Sequence, residues 1–162
     1  MNKVLHSLSI RYLYRPSICL STLALILGGM IYVLFRTAEP LFFQYIRALG
    51  FGNELDFIRQ YAFTHYIKFP AWIIYSLPSG LWAFAYAMVI TSIWSGSKSK
   101  LKYFWIISIP MLVLGYEILQ YPGIIPGTFC LYDLAFDTAG LLFGVIIGIK
   151  STKLNNHEKA SE

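Results

Sequence analysis

The 162-residue sequence predicts an all-α membrane protein, with four transmembrane helices and short amphipathic interfacial helices between the first and the second. Three observations predict it. Apolar residues make up 57% of the chain and charged residues only 13%, against roughly half and a quarter in an ordinary soluble domain. The apolar residues are gathered into long uncharged runs, for which a bilayer is the simplest solvent. Basic residues cluster between those runs, as in proteins whose orientation is set by positive charge. Aromatic residues, at 17%, fit as well, because Tyr and Trp favour the headgroup level. One membrane domain is expected over residues 17–150, between a cytoplasmic segment at 1–16 and a cytoplasmic tail at 151–162.

The first run covers residues 17–35 and follows Lys3, Arg11 and Arg15. At ~1.5 Å per residue a helix there reaches about 28 Å, close to the hydrocarbon thickness. It is long for a signal-peptide core and no small-x-small site follows, so it is read as a retained span.

Residues 36–68 are mixed in character. Leu41, Phe42, Tyr45, Ile46 and Leu49 recur at helical spacing, and Gly50 can stop that helix. Asn53 then opens a second one, with Glu54 and Asp56 in its first turn. Its expected apolar face is Leu55, Ile58 and either Tyr61 or Ala62. Neither piece is long enough to span, so both are expected to lie in the interface.

The second run covers residues 69–94, and Pro78, Ser79 and Gly80 predict a break within it. The main span is therefore expected near 79–94. Non-helical backbone at membrane depth needs protein or water around it, so the break should face the interior of the bundle. A polar hairpin with Lys98, Lys100 and Lys102 leads to the third span, near 103–120. The loop at 121–132 is uncharged, the fourth span is expected near 134–149, and a charged tail follows from Lys150.

The lysine hairpin against the uncharged 121–132 loop places both termini inside. Arg36, Arg47, Arg59 and Lys68 in the longer loop count against this. The short hairpin weighs more, because the charge rule works best over short loops. The net charge of +5 is explained by the same clusters, so nucleic acid is not an expected partner. Cys19 and Cys130 have neither metal nor redox spacing and fall toward opposite faces. No nucleotide loop, zinc-protease pair or nucleophile elbow is present, and no cofactor or metal is expected. His65 reads as an interfacial histidine.

A carboxylate in a span is costly and by default suggests function. Glu117 lies near the outer end of the third span, with Gln120 one turn on. Asp133 opens the fourth helix and Asp137 lies one turn further in. The short loop brings these helix ends side by side, so the three acids should converge near the outer surface. Asp133 also fits a first-turn acid stabilised by the helix dipole. Glu117 and Asp137 could equally bond to Gln120, Thr138 or a tyrosine and hold helices together. Gly140, Gly144 and Gly148 form a ladder that lets a neighbouring helix approach closely. Trp82 and Tyr86, one turn apart after the predicted break, can line the same cavity or belong to an aromatic belt.

The order Glu117-Ile-Leu-Gln120, Pro126-Gly127-Thr128, Asp133, then Asp137-Thr-Ala-Gly140 and Gly144 resembles the VanZ-like family of small bacterial membrane proteins. The resemblance covers about residues 78–149. It departs from the family at Asp137, where Asn is usual, and at Thr128-Phe129-Cys130, where the loop lacks a common Arg. It implies a multi-pass protein of the bacterial inner membrane, linked to the cell envelope or to lipoglycopeptide response.

The leading expectation is a protein that binds a lipid, a lipid-linked envelope precursor or a lipoglycopeptide. Its polar wall would be Glu117, Gln120, Asp133 and Asp137, with Trp82 and Tyr86 as apolar contacts. The alternative is an enzyme on a lipid-linked or phosphate-bearing substrate, using two carboxylates as acid and base or three around a divalent cation. A coupled transporter would need a polar path inward of Asp137, and the sequence has none. A binding protein should tolerate Asp137→Asn, whereas an enzyme should lose activity when one acid is amidated.

Overall fold

A computed structural model describes residues 16–36, 41–65, 69–125 and 128–161. Among these all regular structure is helical. The elements are α1 (Pro16–Phe35), α2 (Leu41–Ala48), α3 (Gly52–His65), α4 (Ala71–Tyr75), α5 (Leu77–Trp94), α6 (Leu101–Val113), α7 (Gly115–Gln120) and α8 (Leu131–Ser161). Among the described residues three stretches are long and apolar enough to cross a membrane: Pro16–Phe35, Ala71–Trp94 and Leu131–Thr152.

The expected third span, near 103–120, is not one such helix. α6 stops at Val113 and α7 resumes after the turn residue Leu114. Two residues weaken the helix there. Pro110 has no N–H for the carbonyl of Ile106, and its ring crowds the preceding turn. Gly115 is a poor helix former. The axis still carries on, because Leu114 donates to the Pro110 carbonyl at 2.9 Å and Ile118 to the Leu114 carbonyl at 3.0 Å.

The break in the second run is also displaced from its expected place. It falls at Ser76, a single turn residue between α4 and α5, whereas Pro78, Ser79 and Gly80 are helical. Pro78 occupies the first turn of α5, where a missing N–H costs nothing within that helix. The carbonyl left without its partner is that of Ile74, one turn back, so the chain yields between the two. Ser79 Oγ donates to the Ser76 carbonyl at 2.8 Å and stitches the break. Ser76, Pro78 and Gly80 are all buried, so the irregular backbone does lie inside the bundle.

The tightest packing joins α5 to α8 through the glycines. A Cβ on Gly140 would strike the carbonyl oxygen of Gly80. One on Gly144 would lie 2.5 Å from the Phe84 carbonyl oxygen, and one on Gly148 would lie 2.9 Å from Thr91 Cβ. Backbone therefore touches backbone along one face of α8. At the far end Thr152 Oγ1 lies 3.0 Å from the Gly148 carbonyl and 3.2 Å from that of Ser92, and it accepts from Ser95 Oγ at 3.0 Å. The helix continues through the expected tail as far as Ser161.

α1 lies against another face of α5, with Gly28 under the Trp82 indole. α6 meets α5 through Ala87, Ile90 and Ile109 and through the stacked rings of Trp94 and Trp105. The outer surface is apolar: Leu23, Ile26, Ile107, Met111 and Phe143 are each about half exposed or more. A soluble monomer rarely shows such a continuous patch. With the three long apolar helices, it marks this chain as a membrane protein.

α2 and α3 form a hairpin through Gly50, whose φ of +89° suits a residue without Cβ. Arg47 closes it with two 2.8 Å hydrogen bonds to the Asp56 carboxylate and holds that carboxyl below its usual value. Asp56 is thus an ion-pair partner, and Glu54 is the first-turn acid of α3. The inward face of α3 is Leu55 and Ala62, while Ile58 and Tyr61 are exposed. On α2 Phe43 is buried beneath the Arg59 guanidinium, at 4.6 Å, and Tyr45 points outward, as does Leu49 in the turn that follows. The side chains of Leu41 and Phe42 lie outside the described residues, as does the segment before Pro16.

Candidate functional site

The Ser76 break, the α6–α7 junction and the start of α8 line a cavity of about 1010 Å³. Glu117, Gln120, Asp133, Asp137, Trp82 and Tyr86 all line it. Residues far apart in sequence thus share one space.

Two of the acids are deeply held. Glu117 and Asp137 are each only 7% exposed. Glu117 sits on α7, and its Oε2 faces the backbone N–H of Cys130 at 3.5 Å, beside the start of α8. The partial positive charge of that helix end suits a carboxylate. Asp133 occupies the first turn of α8, as a dipole-stabilised acid would, and one turn later Asp137 reaches deeper. Ser79 of α5 lies beside Asp137. One carboxylate oxygen of Asp133 and one of Asp137 are buried without a hydrogen-bond partner. Such groups are costly unless something satisfies them.

Comparison of the chain with protein-family models, curated proteins and solved structures finds no match. The chemistry of the site must therefore be read from its own residues.

The aromatic side of the cavity has two parts. Trp82 packs between α1 and the cavity, its ring centroid 5.4 Å from that of Tyr32. Tyr86 lies deeper and bonds to Ser108 of α6 at 2.7 Å. Ser108 Oγ already gives its proton to the Trp105 carbonyl at 2.6 Å, so Tyr86 is the donor in that pair. The bond ties α6 to α5 below the cavity.

Sequence reasoning misses several residues here. Ser79, expected in the break, stands on a helix beside Asp137. Trp72 of α4 lines the cavity and stacks on Phe136 of α8 at 5.6 Å. Arg36, expected as a loop cation, also lines the cavity, with its guanidinium over the Tyr32 ring at 4.7 Å. The available signal was depth: Arg36 follows the last residue of α1, at the same end of the bundle as Glu117. A guanidinium thus reaches the site from the first helix, while the 128–130 segment has none.

Among the described residues no group of three His, Cys, Asp or Glu side chains is placed to hold a metal ion. The motif residues Pro126 and Gly127 lie outside the described residues.

Proposed function

We propose that this chain is a VanZ-like protein of the bacterial inner membrane that binds a lipid or cell-envelope component in an acidic pocket at the outer leaflet. The observation that carries this reading is the joint wall. Buried Glu117 and Asp137 share one cavity with Trp82, Tyr86, Gln120 and Asp133. Its volume of about 1010 Å³ suits a drug-sized or headgroup-sized molecule. Aromatic and aliphatic side chains interleaved with converging polar groups are a usual composition of a ligand site. The VanZ-like resemblance adds the link to the envelope and to lipoglycopeptide resistance. Purification in a mild neutral detergent, followed by mass spectrometry of co-purifying molecules, is the direct test. A stoichiometric amphiphile is the expected result, and a ligand-free protein under lipid-preserving conditions would end the proposal.

In this reading α6 and α7 together make a fourth span, interrupted at Leu114. A helical path over residues 101–120 reaches about 30 Å at 1.5 Å per residue. Both termini are cytoplasmic, and the α2–α3 hairpin lies on the outer headgroup region. The lysine hairpin at Lys98, Lys100 and Lys102 supports that orientation. Cysteine labelling checks it in a background lacking Cys19 and Cys130. A membrane-impermeant maleimide should label Thr128→Cys and spare Ser97→Cys in intact cells. The reverse pattern would invert the topology and put the cavity on the cytoplasmic side.

A further inference from the structure

The contents of the cavity follow from its charge and its shape. Among the described residues its lining contains three carboxylates, from Glu117, Asp133 and Asp137, and one cationic side chain, that of Arg36. Asp137 is only 7% exposed, and one of its oxygens is buried at the cavity wall without a partner. An ionised carboxylate in such a place calls for a cation that hydrogen-bonds. Trp72, Tyr75, Trp82 and Tyr86 surround the same space. Aromatic faces beside a carboxylate are the arrangement that recognises ammonium groups.

Arg36 lines the same cavity from α1. It follows the end of α1 and is half-buried, whereas Asp137 is one turn inside α8. A guanidinium is the preferred partner of phosphate. One further feature selects among sources of this chemistry. Leu112 lines the cavity, yet is 64% exposed on the outer apolar surface of α6. The cavity therefore opens sideways onto the surface that acyl chains would cover.

We propose that the occupant is a zwitterionic amine-headed lipid, with its ammonium against Asp137 and the aromatic rings, its phosphate at Arg36, and its chains leaving past Leu112. This rests on the lipid-binding reading above and names the headgroup it selects.

The full-length protein in neutral detergent would be offered an equimolar mixture of phosphatidylethanolamine and phosphatidylglycerol with identical chains. Native mass spectrometry then counts each lipid on the protein. The expected result is a preference for the amine lipid of about tenfold, the ratio that corresponds to 1.4 kcal/mol. Asp137→Asn, which keeps the side-chain shape, should bring the ratio to about one while lipid is still retained. Arg36→Gln should weaken both lipids alike, since both carry the phosphate. Soluble glycerophosphoethanolamine, in excess, should not displace the lipid. Equal retention of the two lipids by the native protein, or a preference for phosphatidylglycerol, overturns the headgroup assignment and leaves lipid binding standing. Displacement by the soluble compound overturns the lipid as source. Retention of neither lipid overturns both the assignment and the reading on which it rests.

Discussion

Gly140→Leu is expected to lose most of the folded protein in detergent. At this position a Cβ alone would run into the Gly80 carbonyl oxygen. The obstacle is backbone of α5, so no rotamer change relieves it. The two helices would have to separate along their whole tight seam, from Gly80 and Gly140 to Thr91 and Gly148. Overpacking a core costs about 1–3 kcal/mol where side chains can adjust, and here the cost should reach or exceed the top of that range. Gly144→Leu should behave similarly, because its Cβ would meet the Phe84 carbonyl and Ala87. Gly29→Leu is the control. Nothing lies within 4 Å of a Cβ at that position, and leucine is a better helix former than glycine by about 1 kcal/mol. Size-exclusion chromatography with fluorescence detection after stepwise heating reads all three. If Gly140→Leu elutes and melts like the native protein, α5 and α8 do not touch there.

The double variant Glu117→Gln with Asp137→Asn should become more heat-stable and lose its ligand. The two carboxylates are nearly isosteric with their amides, so the cavity keeps its shape. The new amide at position 117 would still offer an oxygen to the Cys130 N–H, the contact made now by Glu117 Oε2. What disappears is the cost of holding two buried carboxylates in one space. Two carboxylates sharing a buried site disfavour each other's ionised form, and an amide at either position removes that repulsion. Binding should move the other way, since a hydrogen bond to a charged group contributes about 1.5–3 kcal/mol. Loss of both charges should therefore lower co-purified ligand at least about tenfold. Thermal midpoint and bound lipid, measured on one preparation, separate the outcomes. A variant that melts lower would show that the acids hold the helices together. One that melts higher with full ligand would show that they play no part in binding.

Much of this architecture is visible along the chain. Uncharged runs mark the long helices because their length and composition are set locally by the thickness of the bilayer. Glycines at 140, 144 and 148 repeat every four residues, so they share a face of any helix that contains them, and that face is the packed one. Glu117, Asp133 and Asp137 could be brought together on paper because two spans joined by a short loop must run side by side.

Other features answer to neighbours far away in sequence. Pro78 announces a break, but its position at Ser76 depends on which carbonyl loses its partner and on how Gly80 seats against Phe136. The third apolar run looks uniform by composition, yet it is divided at Leu114, between Pro110 and Gly115, into α6 and α7, whose residues line the cavity. The inward face of α3 uses Ala62 in place of Tyr61, because a small side chain lets the helix approach α1. Arg36 is one loop cation among four until the end of α1 is packed beside α5. The sequence by itself determined the solvent of the protein, its long helices and the end of the bundle that carries its acids, because hydropathy and helical spacing act between near neighbours. Only the tertiary structure decided that Arg36, Ser79 and Trp72 join those acids around one cavity, because that depends on how closely separate helices pack.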